Sequence, residues 1–280
     1  MKRTGLLSGL FIAFLITSES LSLLAQQTFV ERFTAHNRTM ASKQPALITP
    51  LVGPDPRIVQ YTKVSVAHQY TSTGTETVNY GNGRGTGIIV GDRFEFDFMA
   101  PPYIQHNSVV DDGFGDTAVL AKYRVASGNA ETGNYDIGFA LGHCFATGSH
   151  KNGASTDSFS PTLAAAYAYH HFAAISSLGG TLPTGRIASQ GRSIASNTEA
   201  QAHIRPQIWF EVENNATFFV GGTRDGKMQN FLTPAAFYII RGKNWKPTHP
   251  TYIIDTGMQI ATSGFHTYNH NLITELRMLF

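Results

Sequence analysis

The sequence is poor in charged residues, in cysteine and in long apolar runs. Asp, Glu, Lys and Arg make up 14% of its 280 residues, against about 25% in an average soluble domain. Cys144 is the one cysteine, which excludes an intramolecular disulfide and a zinc cluster built from thiolates. The net charge of +2, without a dense run of Lys and Arg, argues against a nucleic-acid partner.

The longest apolar run lies near the N-terminus. A basic start precedes residues 5–16, GLLSGLFIAFLI, and small residues follow them. The run is shorter than the about 20 apolar residues that cross a bilayer as a helix, and its flanks are those of a secretory signal peptide. We therefore predict a signal peptide over 1–25, with cleavage open between Ser22 and Ala25, and an exported protein. An uncleaved amphipathic anchor is the alternative.

What the sequence has instead is alternation of polar and apolar residues. In 198–212, TEAQAHIRPQIWFEV, the odd-numbered positions are nearly all polar and the even-numbered ones apolar. Because successive side chains of a strand point to opposite faces, the pattern suits a soluble sandwich or a membrane barrel with a polar lumen. Recurring alternation predicts twelve strands, at 61–70, 80–90, 93–102, 115–126, 134–147, 158–169, 171–182, 199–211, 216–224, 231–241, 251–261 and 270–280.

The connections between these strands mostly alternate in length. Tight links at 91–92, 170–171 and 213–215 contrast with longer ones such as 183–198. Outer-membrane barrels have short periplasmic turns and longer external loops, whereas a soluble sandwich would need more surface charge. The sequence thus predicts an all-β fold, a twelve-stranded antiparallel transmembrane β-barrel over 58–280, in the outer membrane of a Gram-negative bacterium.

The last residues, LITELRMLF, alternate up to a final aromatic residue. Phe280, Met278 and Leu276 share one parity, and Glu275 and Arg277 share the other. This resembles the terminal strand of outer-membrane proteins, which the assembly machinery reads. We predict an assembly signal at Phe280, Met278 and Leu276, with the barrel-assembly machinery and outer-membrane lipid as partners.

Three stretches carry a resemblance to a known family. They are GTGIIVGDRFEFDFMAPPYI at 85–104, DDGFGDTAVLAKYRV at 111–125 and GGTLPTG at 179–185. The chain resembles the outer-membrane family named after the meta-pathway of phenol degradation. The resemblance implies passage of aromatic or other hydrophobic compounds and assigns no functional residue. Residues 26–57 lack strand rhythm and suit either a periplasmic lead-in or a plug that enters the lumen.

Polar residues, most of them charged, on the lumen-facing parity are the candidate solute-contacting residues. Opposed rows of acids and bases could set solute preference. Alternatively, paired charges could fill a narrow interior, since unpaired buried charges are costly. The predicted lining residues are Glu95, Asp97, Lys122, Arg124, His203, Arg205, Gln207, Asp255, Glu275 and Arg277.

No catalytic or metal motif stands out. The sequence has no G-x-S-x-G, the neighbours Ser149 and His150 fall in a predicted loop, and His266 and His270 would form a metal pair only on a helix. We expect passive passage of a small-molecule solute, with no enzymatic activity, no cofactor and no metal. A lipid-modifying enzyme and a structural barrel without transport are the alternatives. The solute, the state of the lumen and the oligomeric state stay open.

Overall fold

A computed structural model describes residues 32–149, 151–240 and 250–280, so the predicted signal peptide lies outside the described residues. Residues 32–41 form helix α1, Ile187–Gln190 form α2, and Gly222–Arg224 form a 3₁₀ turn. No helix within these ranges is long and apolar enough to cross a bilayer.

The strands are β1 (Tyr61–Tyr70), β2 (Glu76–Tyr80), β3 (Gly85–Val90), β4 (Phe94–Met99), β5 (Tyr103–His106), β6 (Gly113–Phe114), β7 (Thr117–Gly128), β8 (Tyr135–Phe145), β9 (Ser158–Tyr169), β10 (Phe172–Pro183), β11 (Arg192–Arg205), β12 (Ile208–Val220), β13 (Met228–Ile240), β14 (Thr251–Ala261) and β15 (His270–Leu279).

These segments form one closed antiparallel barrel of twelve strands. The barrel closes between β1 and β15, where Tyr61 lies opposite Leu279 and Tyr70 opposite His270. Three barrel strands are interrupted and consist of two segments each: β2 with β3, β4 with β5, and β6 with β7. The predicted all-β, twelve-stranded antiparallel barrel is confirmed.

Alternation decides which side chains face outward. On β4, Phe94, Phe96 and Phe98 point away from the barrel, and Phe96 is 50% exposed. Glu95 and Asp97 point inward, and Glu95 is 0% exposed. An apolar outer band around a polar interior is the arrangement of a transmembrane barrel, because lipid offers polar groups no partners.

The two ends of the barrel differ in the length of their connections. At the end where β1 begins and β15 ends, the links include 91–93, 170–171 and 206–207. We call this the turn end. The opposite end, the loop end, carries longer connections such as 146–157 and 262–269.

The predicted strand at 199–211 and the predicted turn at 213–215 are wrong. The chain instead reverses at Pro206 and Gln207, with Arg205 paired to Ile208. Proline cannot donate to a strand ladder, so it suits this link. The two-residue link leaves the inward parity unchanged, which is why alternation alone does not reveal the reversal. Other predicted strands, such as 61–70, 158–169 and 251–261, coincide with β1, β9 and β14.

Residues 44–60 run through the barrel interior, and we call them the luminal segment. Ile48 and Leu51 belong to a buried cluster with inward side chains that include Phe237 and Ile253. Leu47 packs with a second cluster from β9 and β10. The hydrophobic core of the molecule therefore forms between this segment and the inner wall. The domain boundaries at 25 and 57 stay predictions.

Candidate functional site

One side of the inner wall binds the backbone of the luminal segment through carboxylates and an amide. Glu213 accepts hydrogen bonds from Val52 N and Gly53 N, each of 2.8 Å. Glu211 accepts one from Leu51 N at 3.1 Å. The Gln201 amide donates to Ile48 O at 2.8 Å and accepts from Ile48 N at 3.1 Å. These five hydrogen bonds hold the segment at four backbone positions, so this wall fixes the path of the segment. The residues are Gln201, Glu211 and Glu213 on the wall, and Ile48, Leu51, Val52 and Gly53 on the segment.

Arg277 on β15 holds the same segment from another side. It is 1% exposed and forms ion pairs with Glu275 and, at 2.9 Å, with Asp255. Its guanidinium also donates to Thr49 O and, at 2.8 Å, to Pro50 O. These partners are buried or part-buried acceptors, so the cation is compensated on every side.

A third set of contacts comes from β4 and β7. Lys122 forms an ion pair with Glu95 at 2.8 Å and donates to Arg57 O at 2.9 Å. Glu95 also accepts from Val59 N. The second β4 carboxylate, Asp97, accepts from the Tyr61 hydroxyl at 3.0 Å.

The luminal segment is braced internally by an ion pair. Arg57 donates to both oxygens of Asp55, from Nε at 3.0 Å and from Nη2 at 2.6 Å. Thr49 donates to the same carboxylate at 2.8 Å, and Arg57 donates to Leu47 O at 2.7 Å. Burial raises the pKa of Asp55, but the charge of Arg57, the hydrogen bonds from Arg57 and the charge of Lys122 together outweigh burial, so the pKa lies below its ordinary value.

Most of the residues predicted to line the lumen do lie on the inner wall. Arg124 is buried near the turn end, where it contacts Met40 Sδ of α1 at 3.6 Å, and His203 packs against Trp209. Six others are buried along the wall: Glu95, Asp97, Lys122, Asp255, Glu275 and Arg277. Whether they contact solute stays a prediction.

The placement of Arg205 and Gln207 on the wall is wrong. Arg205 ends β11, Gln207 belongs to the link that follows, and both side chains are exposed at the turn end. The sequence-based site also omits Glu213, because the predicted boundaries place it in a turn. Its odd parity, shared with Glu211, is the signal that could have identified it.

A cavity of about 340 Å³ lies between the luminal segment and the wall. Apolar side chains such as Leu120, Met99 and Val59 line it together with Lys122 and Asp97. Asp97 is 5% exposed, and its Oδ1 has no hydrogen-bond partner among the described residues. The volume is at the lower end of the about 300–1,000 Å³ that small-molecule pockets span.

A second cavity of about 290 Å³ lies at the turn end. Asn37 and Ala41 of α1 line it together with Trp209, Ile239 and Phe280. Both cavities therefore border the N-terminal part of the chain, so a shift of that part would change the free space in the lumen.

The histidine pair in the last loop has other partners. The two ring nitrogens of His266 lie 2.8 Å from Ser263 O and 2.9 Å from Asn269 Oδ1, and His270 stacks on Tyr70. Over the three described ranges, no group of three or more His, Cys, Asp or Glu side chains could hold a metal ion.

No family model and no curated protein matches the chain, but solved structures do. A structure of the NanC porin matches with a TM-score of 0.51 and 10% identity, over 78% of this chain and 98% of that one. The COG4313 outer membrane channel from Pseudomonas putida F1 matches with a TM-score of 0.53 and 12% identity, over 84% of this chain and 100% of the other. At such identities the likeness shows the barrel fold.

Proposed function

We propose that this protein is an outer-membrane channel for the passive passage of small molecules, with hydrophobic or aromatic solutes favoured. The observation that carries the proposal is the cavity of about 340 Å³, mostly apolar in its lining, inside a closed transmembrane barrel. The two matching structures, named as a porin and an outer membrane channel, support the channel function. The resemblance to the meta-pathway family supports the class of solute.

The pairing of the inner-wall charges favours a neutral solute over an ion. Lys122 and Arg277 are each held by wall carboxylates and by carbonyl groups of the luminal segment. A cation that is already paired and desolvated attracts a passing anion weakly. The apolar surface beside these pairs is left for solute contact.

Passage through the barrel axis requires the luminal segment to move. Hydrogen bonds and two ion-paired cations hold the segment, and the chain is continuous with the wall only through Gln60 and Tyr61. A shift of the segment toward the turn end would join the two cavities. We therefore infer low conductance with brief openings.

Transport through such a channel requires no chemical step, and we infer that the protein is not an enzyme. Lipid bilayer, the barrel-assembly machinery and the solute are the partners that this function needs. Purified protein should show no lipase or deacylase activity on phospholipid or lipopolysaccharide. Hydrolysis above the rate of protein-free vesicles would favour a lipid-modifying enzyme instead.

Influx into proteoliposomes tests the channel function, with variants that fill the cavity or leave it unchanged. Leu120 lines the cavity, whereas Leu141 on the neighbouring strand faces outward. We expect influx of a small aromatic alcohol to be faster with wild-type protein than in protein-free vesicles. Leu120→Trp should slow influx because indole fills the cavity, and Leu141→Trp should not. Equal influx with and without protein would contradict the proposal.

A further inference from the structure

The barrel wall is interrupted at the same level in three neighbouring strands. The interruptions lie at 81–84 between β2 and β3, at 100–102 between β5 and β4, and at 115–116 between β6 and β7. The segments on either side keep the same neighbours, so the breaks align across the wall. Such breaks expose backbone groups that lipid cannot satisfy.

Each break faces the neighbouring strand at a junction. The junction of 81–84 with β1 and that of 100–102 with 115–116 each retain a backbone hydrogen bond. Gly81 N donates to Ser65 O at 2.7 Å, and Gly115 N donates to Pro102 O at 2.8 Å. The junction between the breaks at 81–84 and 100–102, which we call the middle junction, differs. Between residues 81–85 and 99–102 no ladder pair occurs in the described structure, since pairing stops at Thr86–Phe98 and resumes at Tyr80–Tyr103. The residues concerned are Ser65, Tyr80, Gly81, Thr86, Phe98, Pro102, Tyr103 and Gly115.

A single side chain bridges this middle junction. Arg84 donates from Nη2 to Pro101 O, and its aliphatic part packs against Gly81, where a Cβ would lie 2.6 Å from Arg84 Cδ. Its Nε is buried without a hydrogen-bond partner among the described residues. An ionisable side chain at membrane depth is expensive and marks a functional site by default.

The middle junction lies within the apolar outer band. Phe98, 55% exposed, lies on the turn-end side of the gap, and Tyr80, Tyr103 and Phe114 are exposed on its loop-end side. Tyr103 and Phe114 pack edge to face with their ring centroids 5.5 Å apart. Exposed tyrosines typically mark the membrane interface, which places the gap near the loop-end side of the bilayer core.

On its inner side, the same gap borders the solute cavity. Gly83 and Met99, which flank the gap on its two strands, both line the cavity of about 340 Å³. A Cβ at Gly83 would lie 3.6 Å from Lys63 Nζ, whose side chain is on the inward face. Arg84 is therefore the side chain that bridges the two strands where the cavity meets the wall.

We propose that the gap between 81–85 and 99–102 is a lateral portal through which an apolar solute exchanges between the cavity and the bilayer, and that Arg84 closes it. The proposal rests on the channel function above and adds the route by which the solute leaves the cavity. Loss of the guanidinium removes the bridge to Pro101 and opens the cavity to lipid. A neutral apolar solute then leaves sideways without displacing the ion pairs along the barrel axis.

Fluorescence quenching by brominated acyl chains tests the portal in proteoliposomes of the full-length protein. A Cys144→Ser background carries one labelling cysteine, at Met99→Cys beside the gap. Ser160→Cys on β9, which also lines the cavity, is the lumen-facing reference, and Phe98→Cys is the lipid-facing reference. Each is compared with Arg84 present and with Arg84→Ala. Asn82→Ala, in the same turn, is the matched control.

We expect quenching at Met99→Cys to match the lumen-facing reference at Ser160→Cys when Arg84 is present and to approach the lipid-facing reference in Arg84→Ala. Asn82→Ala should leave it low. Unchanged quenching in Arg84→Ala, or an equal rise at Ser160→Cys, would overturn the portal. If Arg84→Ala does not assemble, Arg84→Gln gives the same comparison. Because quenching needs no solute flux, a failure of the portal stays distinguishable from a failure of transport.

Discussion

Glu199 is a buried carboxylate that faces Glu213 across the β11–β12 ladder. It is 4% exposed, and neither of its oxygens has a hydrogen-bond partner among the described residues. The backbone of Gly53 lies against it, since a Cβ there would be 1.7 Å from Glu199 Oε1. Glu213 uses its own oxygens to hold the luminal segment. Glu199 therefore adds a second buried carboxyl group to this wall without a hydrogen bond to the segment.

We expect Glu199→Gln to stabilise the barrel. An unsatisfied buried polar group costs about 1–3 kcal/mol. The amide can donate to Glu213 and so gives the buried side chain a partner, and the free energy of unfolding in urea should therefore rise by about 1 kcal/mol. Glu131→Gln in an exposed link is the control and should change nothing. A loss of stability in Glu199→Gln would mean that the carboxyl group makes a favourable contact in this wall and would contradict the prediction.

The pKa of Asp55 determines how we expect the luminal segment to respond to acid. Burial raises its pKa, but the charge and hydrogen bonds of Arg57, together with the charge of Lys122, more than offset this, so the folded-state pKa lies below the ordinary value of about 3.9. A lowered pKa contributes stability above the unfolded-state pKa, and this contribution is lost as pH falls through the folded-state pKa. Lys122 also faces Asp55 and lowers its pKa further.

Acidification should therefore release the segment only below about pH 4. Cleavage of the segment by pepsin, an acid-active protease, measures this release as a function of pH. In Asp55→Asn the segment should be cleaved over the whole acidic range, with a flatter pH dependence. An identical pH profile for both proteins would show that the Asp55–Arg57 pair does not control the segment.

Among the elements, β8 offers the sharpest test of how tightly the luminal segment fits the wall. A Cβ at Gly138 would lie 2.3 Å from Pro56 O, whereas one at Gly142 on the same face would meet only ordinary contacts of 3.5 Å or more. We expect Gly138→Ala to displace the segment, because the clash involves backbone, and to raise the channel's open probability in planar bilayers. Gly142→Ala should behave as wild type. Closed channels in Gly138→Ala would place the conductance barrier elsewhere.

Alternation predicts the barrel strands well and the positions of the turns less well. On β4 the Phe94–Phe96–Phe98 face and the Glu95–Asp97 face follow from the sequence because one face of each strand contacts lipid and the other faces the polar interior. The reversal at Pro206 does not follow, because a two-residue link conserves parity. Only the proline itself indicates a discontinuity there.

The path of the luminal segment cannot be predicted from the sequence pattern of the segment itself. The segment is held mostly through its backbone N–H and C=O groups, which every sequence offers, and the specificity lies on distant strands in residues such as Glu213 and Arg277. The aligned breaks in the wall are equally hidden, because they require three strands to be interrupted at one level. Glycines at 81 and 83 indicate one of the breaks; they do not predict the alignment.

At the scale of the whole molecule, the asymmetry of the two ends gives the barrel a direction. The turn end carries tight links and helix α1, and the loop end carries longer connections. In outer-membrane barrels the short turns face the periplasm and the long loops face outward. The second cavity, beside α1, then opens toward the periplasm, and the aligned breaks lie toward the outer leaflet.

Labelling with a large, membrane-impermeant maleimide on intact cells tests this direction. In a Cys144→Ser background, Ser72→Cys places a thiol in an exposed connection at the loop end, and Gln207→Cys places one in the exposed β11–β12 link at the turn end. We expect Ser72→Cys to react on intact cells and Gln207→Cys to react only after the outer membrane is permeabilised. The reverse result would mean that the turn end faces outward and the loop end faces the periplasm. The lateral portal would then face the inner leaflet, and an apolar solute arriving from outside would have to cross the luminal segment before it reached lipid.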